Sequence, residues 1–596
     1  MPLPPAPKRF KSWWVGLALV STLAVISIAC SPTPPPAPQV TVAPATDVPP
    51  AAGPAIFEDV TTRAGIDFTY HNGEEAGNFA IIESLGGGAA LFDFDGDGRL
   101  DIFLPGGGRY AGKQVLGNPC KLYRNQGGWR FEDVTRQSGL EGPFQYTHGA
   151  AAFDYDNDGW TDLLLTGYSR LVLLHNEPDG AGRRFIDVTK KAGLTDALWS
   201  ATAGWGDLDG DGFPEIYVAH YGDWGFDTNH PVDCTYDGKT RDVCQPGRFK
   251  PLPHTLYRNN RNGTFTDVSD KLQPKKGGRG MGVLVLDVDS DGRPDVYVAN
   301  DTDDNYLFMN RGKRGELAFE EVGGIAGAAL DERGRANGSM GVDAGDFDRS
   351  GRPSIIVTNY ENELPALYRN RSRGKAKEEF NFASATCGLS AVGGMYVGWG
   401  VGFIDYDHDG WEDLLLVNGH AIRFPAKIDR RQRPVLVHNE EGQFKLTTAQ
   451  GGTYFTGPHN ARGAAFGDLD NDGKVDVVVS HLNEPVAVLR NIATTEGRHW
   501  LGVQLVGEQN RDVVGARVVL ESGPSPQSRF VKGGASFAST NDRRMIFGLG
   551  AESKVTKLTV YWPGGSVQEY TGLLPDGYWR LLEGDTKPQR VDSPKP

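Results

Sequence analysis

The sequence predicts an all-β fold, a seven-bladed β-propeller followed by a small β-sandwich-like domain, on three observations. One aspartate-rich turn recurs seven times along the chain. The segments between turns are short, rich in Val, Leu, Phe and Tyr, and bounded by Gly, Asn and Asp, which are strand and hairpin signals. Glycine is also abundant, with 79 in 596 residues, about twice the usual ~7%, as many tight turns require. Repeated four-stranded units protect their edges by closing radially.

The first element is not part of that fold. Lys8, Arg9 and Lys11 form a basic head, and Trp13 to Ala29 is an apolar stretch running into Cys30. This is the layout of an export signal over residues 1–29; an uncleaved membrane anchor is the alternative. The end V-I-S-I-A-C resembles the lipobox of bacterial lipoproteins, with Ser27 in place of the usual Leu, and implies lipidation at Cys30. Residues 30–55 follow as a tether whose nine prolines favour an extended spacer of about 3.1 Å per residue. No later stretch approaches the ~18 apolar residues of a membrane span. The expectation is an exported soluble body, lipid-anchored at the cell surface or in the periplasm.

The repeat occupies residues 56–492. Its unit reads as strand A (G-A-A-L-F), the aspartate turn, strand B (L-D-I-F-L), strand C (K-L-Y-R-N) and strand D (F-E-D-V-T). The turns begin at Asp93, Asp154, Asp207, Asp287, Asp346, Asp405 and Asp468. Strand C ends on Asn125, Asn176, Asn259, Asn310, Asn370, Asn439 and Asn491. The chain opens with a lone strand D, Phe57 to Thr61, and finishes the array with strands A to C and no D. That phase suits a ring closed by its N-terminal strand. Glycine stands five residues before the first aspartate in six copies (Gly88, Gly149, Gly282, Gly341, Gly400, Gly463; Thr202 is the exception), where innermost strands would crowd the axis.

The turn is D-x-D-x-D-G-x-x-D, with carboxylates at positions 1, 3, 5 and 9 and Gly at 6. Four hard oxygens around one point, with the carbonyl of position 7 as a fifth, suit calcium. An EF-hand needs Glu at position 12, where this chain is apolar. The predicted ligand sets are Asp93, Asp95, Asp97 and Asp101; Asp154, Asp156, Asp158 and Asp162; Asp207, Asp209, Asp211 and Glu215. The remaining three are Asp287, Asp289, Asp291 and Asp295; Asp405, Asp407, Asp409 and Asp413; Asp468, Asp470, Asp472 and Asp476. The fifth turn has Ser350 and Ser354 at positions 5 and 9 and is expected to bind weakly or not at all. About six Ca2+ ions follow. The formal net charge of −15 is then largely ligand charge, and it excludes a nucleic-acid binder that works through a basic surface.

These repeats resemble the FG-GAP/VCBS class of integrin α-subunit propellers, and A-F-G-D-L-D-N-D-G at 465–473 retains the F-G. The tail supplies N-R-D-V-V-G-A-R-V (510–518), F-G-L-G (547–550) and V-Y-W-P-G-G (560–565), which match an ASPIC/UnbV domain. The layout is similar to the cartilage acidic protein family, which implies an extracellular calcium-binding protein without established enzymatic activity. Residues 497–585 are read as that β domain, either a structural cap or a binding element, and 586–596 as a disordered tail.

The 80-residue interval between the third and fourth turns marks an insertion, about Asp223 to Pro253, in which Cys234 and Cys244 are expected to pair under oxidising conditions. Cys120 and Cys387 read as buried apolar residues. Recognition of a protein or a glycan is expected on the face opposite the turns, with His148, Trp199, His220, Tyr221, Asn300, Tyr360, His420, Arg462 and His481 as candidates. Loop residues are polar in any case. No G-x-S-x-G, H-E-x-x-H or phosphate-cradling glycine motif is present. The expectation is therefore a non-enzymatic binding or adhesion module. A polysaccharide-active enzyme using Asp301, Asp303, Asp304 or Glu361 is the alternative.

Overall fold

The computed structural model describes residues 53–591 except 181, 273–276 and 373–377. The expected signal peptide, Cys30 and nearly all of the tether lie outside the described residues.

The repeats fold as seven four-stranded antiparallel sheets. In the first, strand A is Ala90–Phe92, strand B Asp101–Leu104, strand C Lys121–Asn125 and strand D Phe131–Asp133. The seventh takes A, B and C from Ala461–Gly467, Asp476–His481 and Ala487–Asn491. Its fourth strand is Phe57–Asp59, antiparallel to strand C, with Phe57 opposite Asn491 and Asp59 opposite Leu489. The A strands are neighbours in sequence order, and that of the seventh sheet meets that of the first. The sheets therefore form a ring.

The asparagine that ends strand C ties each sheet to the one before it. Asn125 Nδ2 donates to Leu100 O in its own turn (3.0 Å) and to Leu469 O in the seventh turn (2.8 Å). Asn176 reaches Phe94 O of the first turn, Asn259 Tyr155 O of the second and Asn310 Leu208 O of the third. Asn370, Asn439 and Asn491 reach Val288, Phe347 and Tyr406 in the same way. All seven amides are buried. Buried polar groups must find partners, and here the partner lies one sheet back at every step.

Residues 499–591 form two packed four-stranded sheets. One holds His499–Val506, Met545–Gly550, Tyr578–Leu582 and Gln589–Val591; the other holds Arg517–Glu521, Gln527–Phe530, Lys557–Tyr561 and Val567–Tyr570. Residues 589–591 pair with Tyr578–Arg580, so the domain runs past the boundary expected at 585, because a strand continues where a tail was read. Its apolar interior (Leu501, Val518, Phe547, Val560) is continuous with that of the second to fourth sheets.

The link between Phe530 and Met545 enters the ring. Gly533 and Val285 exchange backbone hydrogen bonds, as do Ser536 and Val342, and Thr540 bonds to Leu91 and Ala89. Phe537, fully buried, meets Trp399 edge-on at 4.9 Å. This link explains part of the glycine pattern. A Cβ at Gly88 would lie 1.8 Å from Ala538 O, whereas at Gly341 it would strike Trp399 O of the next sheet at 2.0 Å.

Candidate metal centre

Each turn is shaped by two left-handed residues and by the first carboxylate. Position 4 has positive φ in every copy, from 51° at Arg349 to 76° at Gly96, and position 6 is always a left-handed glycine. In the first turn Asp93 accepts from Gly96 N (2.8 Å), Asp97 N (3.1 Å) and Gly98 N (2.8 Å). Position 9 has another task. Asp101 accepts from Phe94 N (3.0 Å) and from Asn125 N in strand C (2.8 Å). The same pair of bonds recurs at Asp162, Glu215, Asp295, Asp413 and Asp476. The longer Glu215 fills the role of Asp.

The carboxylates converge. Ligand oxygens of Asp93, Asp95 and Asp101 lie within 4.8 Å of one another, as do those of Asp154, Asp156 and Asp158. Burial, reinforced by neighbouring carboxylates, pushes Asp154, Asp207, Asp287 and Asp468 up to about 7. Burial drives Asp101, Asp295 and Asp476 well above the usual range as well. Asp95 Oδ1, Asp156 Oδ1 and Asp470 Oδ1, all at position 3, are buried with no hydrogen-bond partner. Acceptors in that state cost free energy unless something positive meets them. Carboxylate sets with unpartnered buried oxygens fit a hard divalent cation, although at the second and sixth turns His175 and His438 stand among the candidate ligands. Strand C adds a guanidinium at the outer oxygen of position 3: Arg124 Nε lies 2.6 Å from Asp95, and Arg490 Nη2 lies 3.1 Å from Asp470. In the second and sixth turns His175 and His438 stand there, each 3.0 Å from the carboxylate at position 9.

The C-terminal domain docks on these turns, through the three motifs singled out in the sequence and through Tyr578 outside them. Asp512 accepts from Asp207 N (3.3 Å) and its own N donates to Gly212 O (3.2 Å). Gly548 N donates to Asp405 Oδ2 (3.1 Å), and Gly564 N to Gly292 O (2.9 Å). Tyr578 Oη donates to Asp468 Oδ2 (2.6 Å). Sequence reasoning expected the domain to pack on the propeller but missed that it docks on the turns, and it missed the role of the strand C asparagine. The asparagine could have been found from its recurrence in all seven copies.

The opposite face differs from the expectation of an open recognition surface. Eight of its nine candidates are at most 3% exposed, and only Tyr360 is half-buried. His148 Nδ1 bonds to Gly86 O (2.8 Å) while Nε2 accepts from Trp199 (3.0 Å), and burial pushes its imidazole down to about 4. His220 sits between Asp196 (2.9 Å) and Thr255 (3.0 Å), and Tyr221 donates to Asp301. Asn300 donates to Asp304 O (2.8 Å), and His481 bonds to Tyr454 Oη (2.8 Å). His420 packs edge-on against Tyr360 at 5.5 Å. The Arg462 guanidinium donates to Ser84 O and His420 O and lies 4.2 Å above Trp399.

Three loops from distant parts of the chain cause this burial. Arg423 pairs with Glu83, and the Arg241 and Arg423 guanidiniums lie 4.9 and 4.4 Å from the Phe79 ring. Asp242 accepts from the backbone N of Arg423 and Phe424. Burial raises Glu83 to about 7 despite Arg423. The Cys234–Cys244 disulfide forms within the insertion, as expected, and Cys120 and Cys387 are free and buried. At the rim a shallow cavity of about 610 Å³ remains over Glu74, Arg423, Phe424, Arg430 and Asn483. Of the acids considered for catalysis, Asp301 is buried on Tyr221, Asp303 pairs with Arg279 (2.8 Å) and Glu361 lies 3.7 Å from His420. Asp304 is exposed.

FG-GAP-like repeats match residues 93–165, 154–218, 253–298 and 287–357, and the ASPIC and UnbV family matches 506–588. Cartilage acidic protein 1 of Xenopus tropicalis is 23% identical over 500 residues, 71% of each chain. The Homo sapiens protein of that name is 25% identical over 510 residues, 71% of this chain and 70% of its own. Among solved structures, an Agrocybe aegerita lectin covers 67% of this chain and 87% of its own at 14% identity and a TM-score of 0.38. With its FG-GAP repeats and its ASPIC and UnbV domain in this order, the chain belongs to the cartilage acidic protein family.

Proposed function

We propose that the chain is an exported, calcium-loaded propeller, tethered through Cys30, that serves as a ligand-binding or adhesion module. The observation that carries the metal part is the set of buried, unpartnered position 3 oxygens among carboxylates raised by burial. Calcium supplies charge compensation and holds the turns; this chain's residues orient the ligand oxygens through backbone N–H groups. The count is about six, one for each turn with four carboxylates.

Recognition of a protein or a glycan takes place on the rim of the face opposite the turns. Phe424 is 48% exposed there, beside the Glu74–Arg430 pair. An aromatic beside fixed charges suits an extracellular protein or a sugar. Binding without catalysis is favoured because Asp301, Asp303 and Glu361 are each engaged by another side chain. A glycan and protein array run beside a reducing-sugar assay tests this. Hits that weaken at least fivefold in Phe424→Ala, with an unchanged melting temperature, are expected. Sugar release from a polysaccharide would overturn the non-enzymatic reading.

A further inference from the structure

We propose that the C-terminal domain is part of the sixth and seventh cation sites, through Gly548 and Tyr578, so that cation loading and domain docking form one linked equilibrium. This rests on the cation reading above and deepens it.

In the first two turns, Oδ2 of the first carboxylate is held by the turn's own glycine: Gly98 N to Asp93 and Gly159 N to Asp154, both at 2.8 Å. In the seventh turn Asp468 Oδ2 takes Gly473 N at 2.7 Å and also the Tyr578 hydroxyl at 2.6 Å. In the sixth, Asp405 Oδ2 takes Gly410 N at 2.9 Å and also Gly548 N at 3.1 Å. Gly548 belongs to the F-G-L-G motif, and its lack of a side chain is required. A Cβ there would lie 2.1 Å from Asp405 Oδ2.

Asp468 is fully buried and Asp405 is 4% exposed. Docking therefore removes a carboxylate from water, which is unfavourable unless its charge is met. A cation at the turn meets it. In return, the hydroxyl and the N–H fix the carboxylate orientation that the cation needs. Two events that each favour the other must do so by the same factor. The domain also meets the third turn, but what it brings there is the Asp512 carboxylate, which accepts from Asp207 N (3.3 Å), and not a donor to the first carboxylate. The sandwich is thus a reader of two particular sites, not only a lid over the turn face.

The experiment uses the whole chain and calcium itself. Calcium uptake is followed by titration calorimetry from a chelated start, and docking by hydrogen exchange of Met545–Gly550 and Tyr578–Leu582. Tyr578→Phe removes only the donor, since the ring keeps its packing on Trp500 (5.1 Å) and Arg544 (4.6 Å). Its expected effect is about tenfold weaker uptake of one cation, the size of a lost hydrogen bond to a charged group. Protection of Tyr578–Leu582 should fall at limiting calcium and return at saturation. Tyr570→Phe, whose hydroxyl bonds to Asp585 O within the domain (3.0 Å), should match the parent. Coincident isotherms for Tyr578→Phe and the parent would overturn the linkage, as would protection that ignores calcium. A parent that takes up no calcium would instead overturn the cation reading itself, and the linkage with it.

Discussion

The fifth turn and the sixth follow the same backbone path with different side chains. Arg349 and Gly351 have φ of 51° and 78°; His408 and Gly410 have 62° and 88°. Gly351 N bonds to Asp346 as Gly410 N bonds to Asp405. Asn370 N donates to Ser354 Oγ at 3.1 Å where Asn439 N donates to Asp413 at 2.7 Å. A serine thus satisfies the strand C amide too, through a longer bond to a neutral acceptor. The turn needs its glycine, its first carboxylate and one acceptor at position 9. It does not need carboxylates at positions 5 and 9 in order to form. In the six other turns the position 9 carboxylates are buried and those at position 5 are half-buried or, at Asp158, exposed; together they add negative charge beyond what the turn's shape requires. Around the fifth turn the protein supplies cations of its own: Arg349 stacks on Trp411 (4.0 Å), Arg529 lies 3.3 Å from Glu412, and Arg517 donates to Gly351 O.

That comparison assumes one ring in which every sheet is whole, and the seventh sheet is the place to break it. Its outer strand is Phe57–Asp59, and Phe57 is 2% exposed against Phe455 at 5.8 Å. A form lacking residues 31–55 should melt like the parent. A form lacking 31–61 should lose more than 10 °C and aggregate, since Ala487–Asn491 becomes a bare edge. Equal melting of the two deletions would show that the ring does not depend on closure.

Chelation should have the next largest effect. Each cation that binds only the folded state adds about 2.7 kcal/mol at a hundredfold excess over its dissociation constant. Removal should therefore lower the melting temperature steeply, and calcium should restore it better than magnesium. Chelation should also introduce a pH dependence. Without cations the folded chain holds carboxylates near 7 (Asp154, Asp207, Asp287, Asp468) against about 3.9 unfolded. It binds more protons than the unfolded chain, so its stability falls as pH rises from about 4 to 7. Calcium-loaded protein should lack that fall. Melting curves in chelator at pH 5.5 and 7.5 check the sign.

Much of this was legible in the sequence because it repeats at short range. Turn, strand and ligand positions recur within a dozen residues, and the missing strand D at the array's end points to closure. The parts that were not legible join residues hundreds apart. Nothing near His148 or Trp199 says that Glu83 will pair with Arg423, or that Asp242 will receive the Phe424 amide and close the face above them. Nor does the stretch from Val531 to Arg543 carry a period that marks it as filling a ring. Its small residues, Gly533, Ser536 and Ala538, make sense only beside the A strands they approach. Motif residues of the C-terminal domain were visible, but their partners were not.

The strand C asparagine should act alike at both kinds of turn. Asn370→Ala and Asn439→Ala each remove buried amide bonds to two carbonyls. A loss of about 1–3 kcal/mol is expected for each, the same for both in chelator. Chemical denaturation of the two variants measures it. A cost confined to Asn439→Ala would mean that the asparagine serves the cation site and not the ring.

The smallest effect, and the sharpest use of the comparison, is to convert the fifth turn. Ser350→Asp with Ser354→Asp restores carboxylates at positions 5 and 9 on a backbone that already follows the right path. Ser354 is fully buried and bonded to Asn370 N, so an aspartate there can keep that bond, as Asp413 does with Asn439. Ser350 Oγ is buried without a partner, a position where a further oxygen ligand has a use. Asp348 already holds Arg369 at 2.5 Å, as Asp95 holds Arg124. The double variant should take up one more calcium per chain than the parent by metal analysis. Asp409→Ala should take up one fewer, and Ser350→Ala should not change the count. In chelator the double variant should melt a few degrees lower than the parent, since two carboxylates are buried near Asp346 and Glu412 without a cation, and calcium should reverse the difference. An unchanged ion count with unchanged melting would mean that Arg349, Arg517 and Arg529 have taken the place of the ion, and that carboxylate number alone does not decide which turns bind.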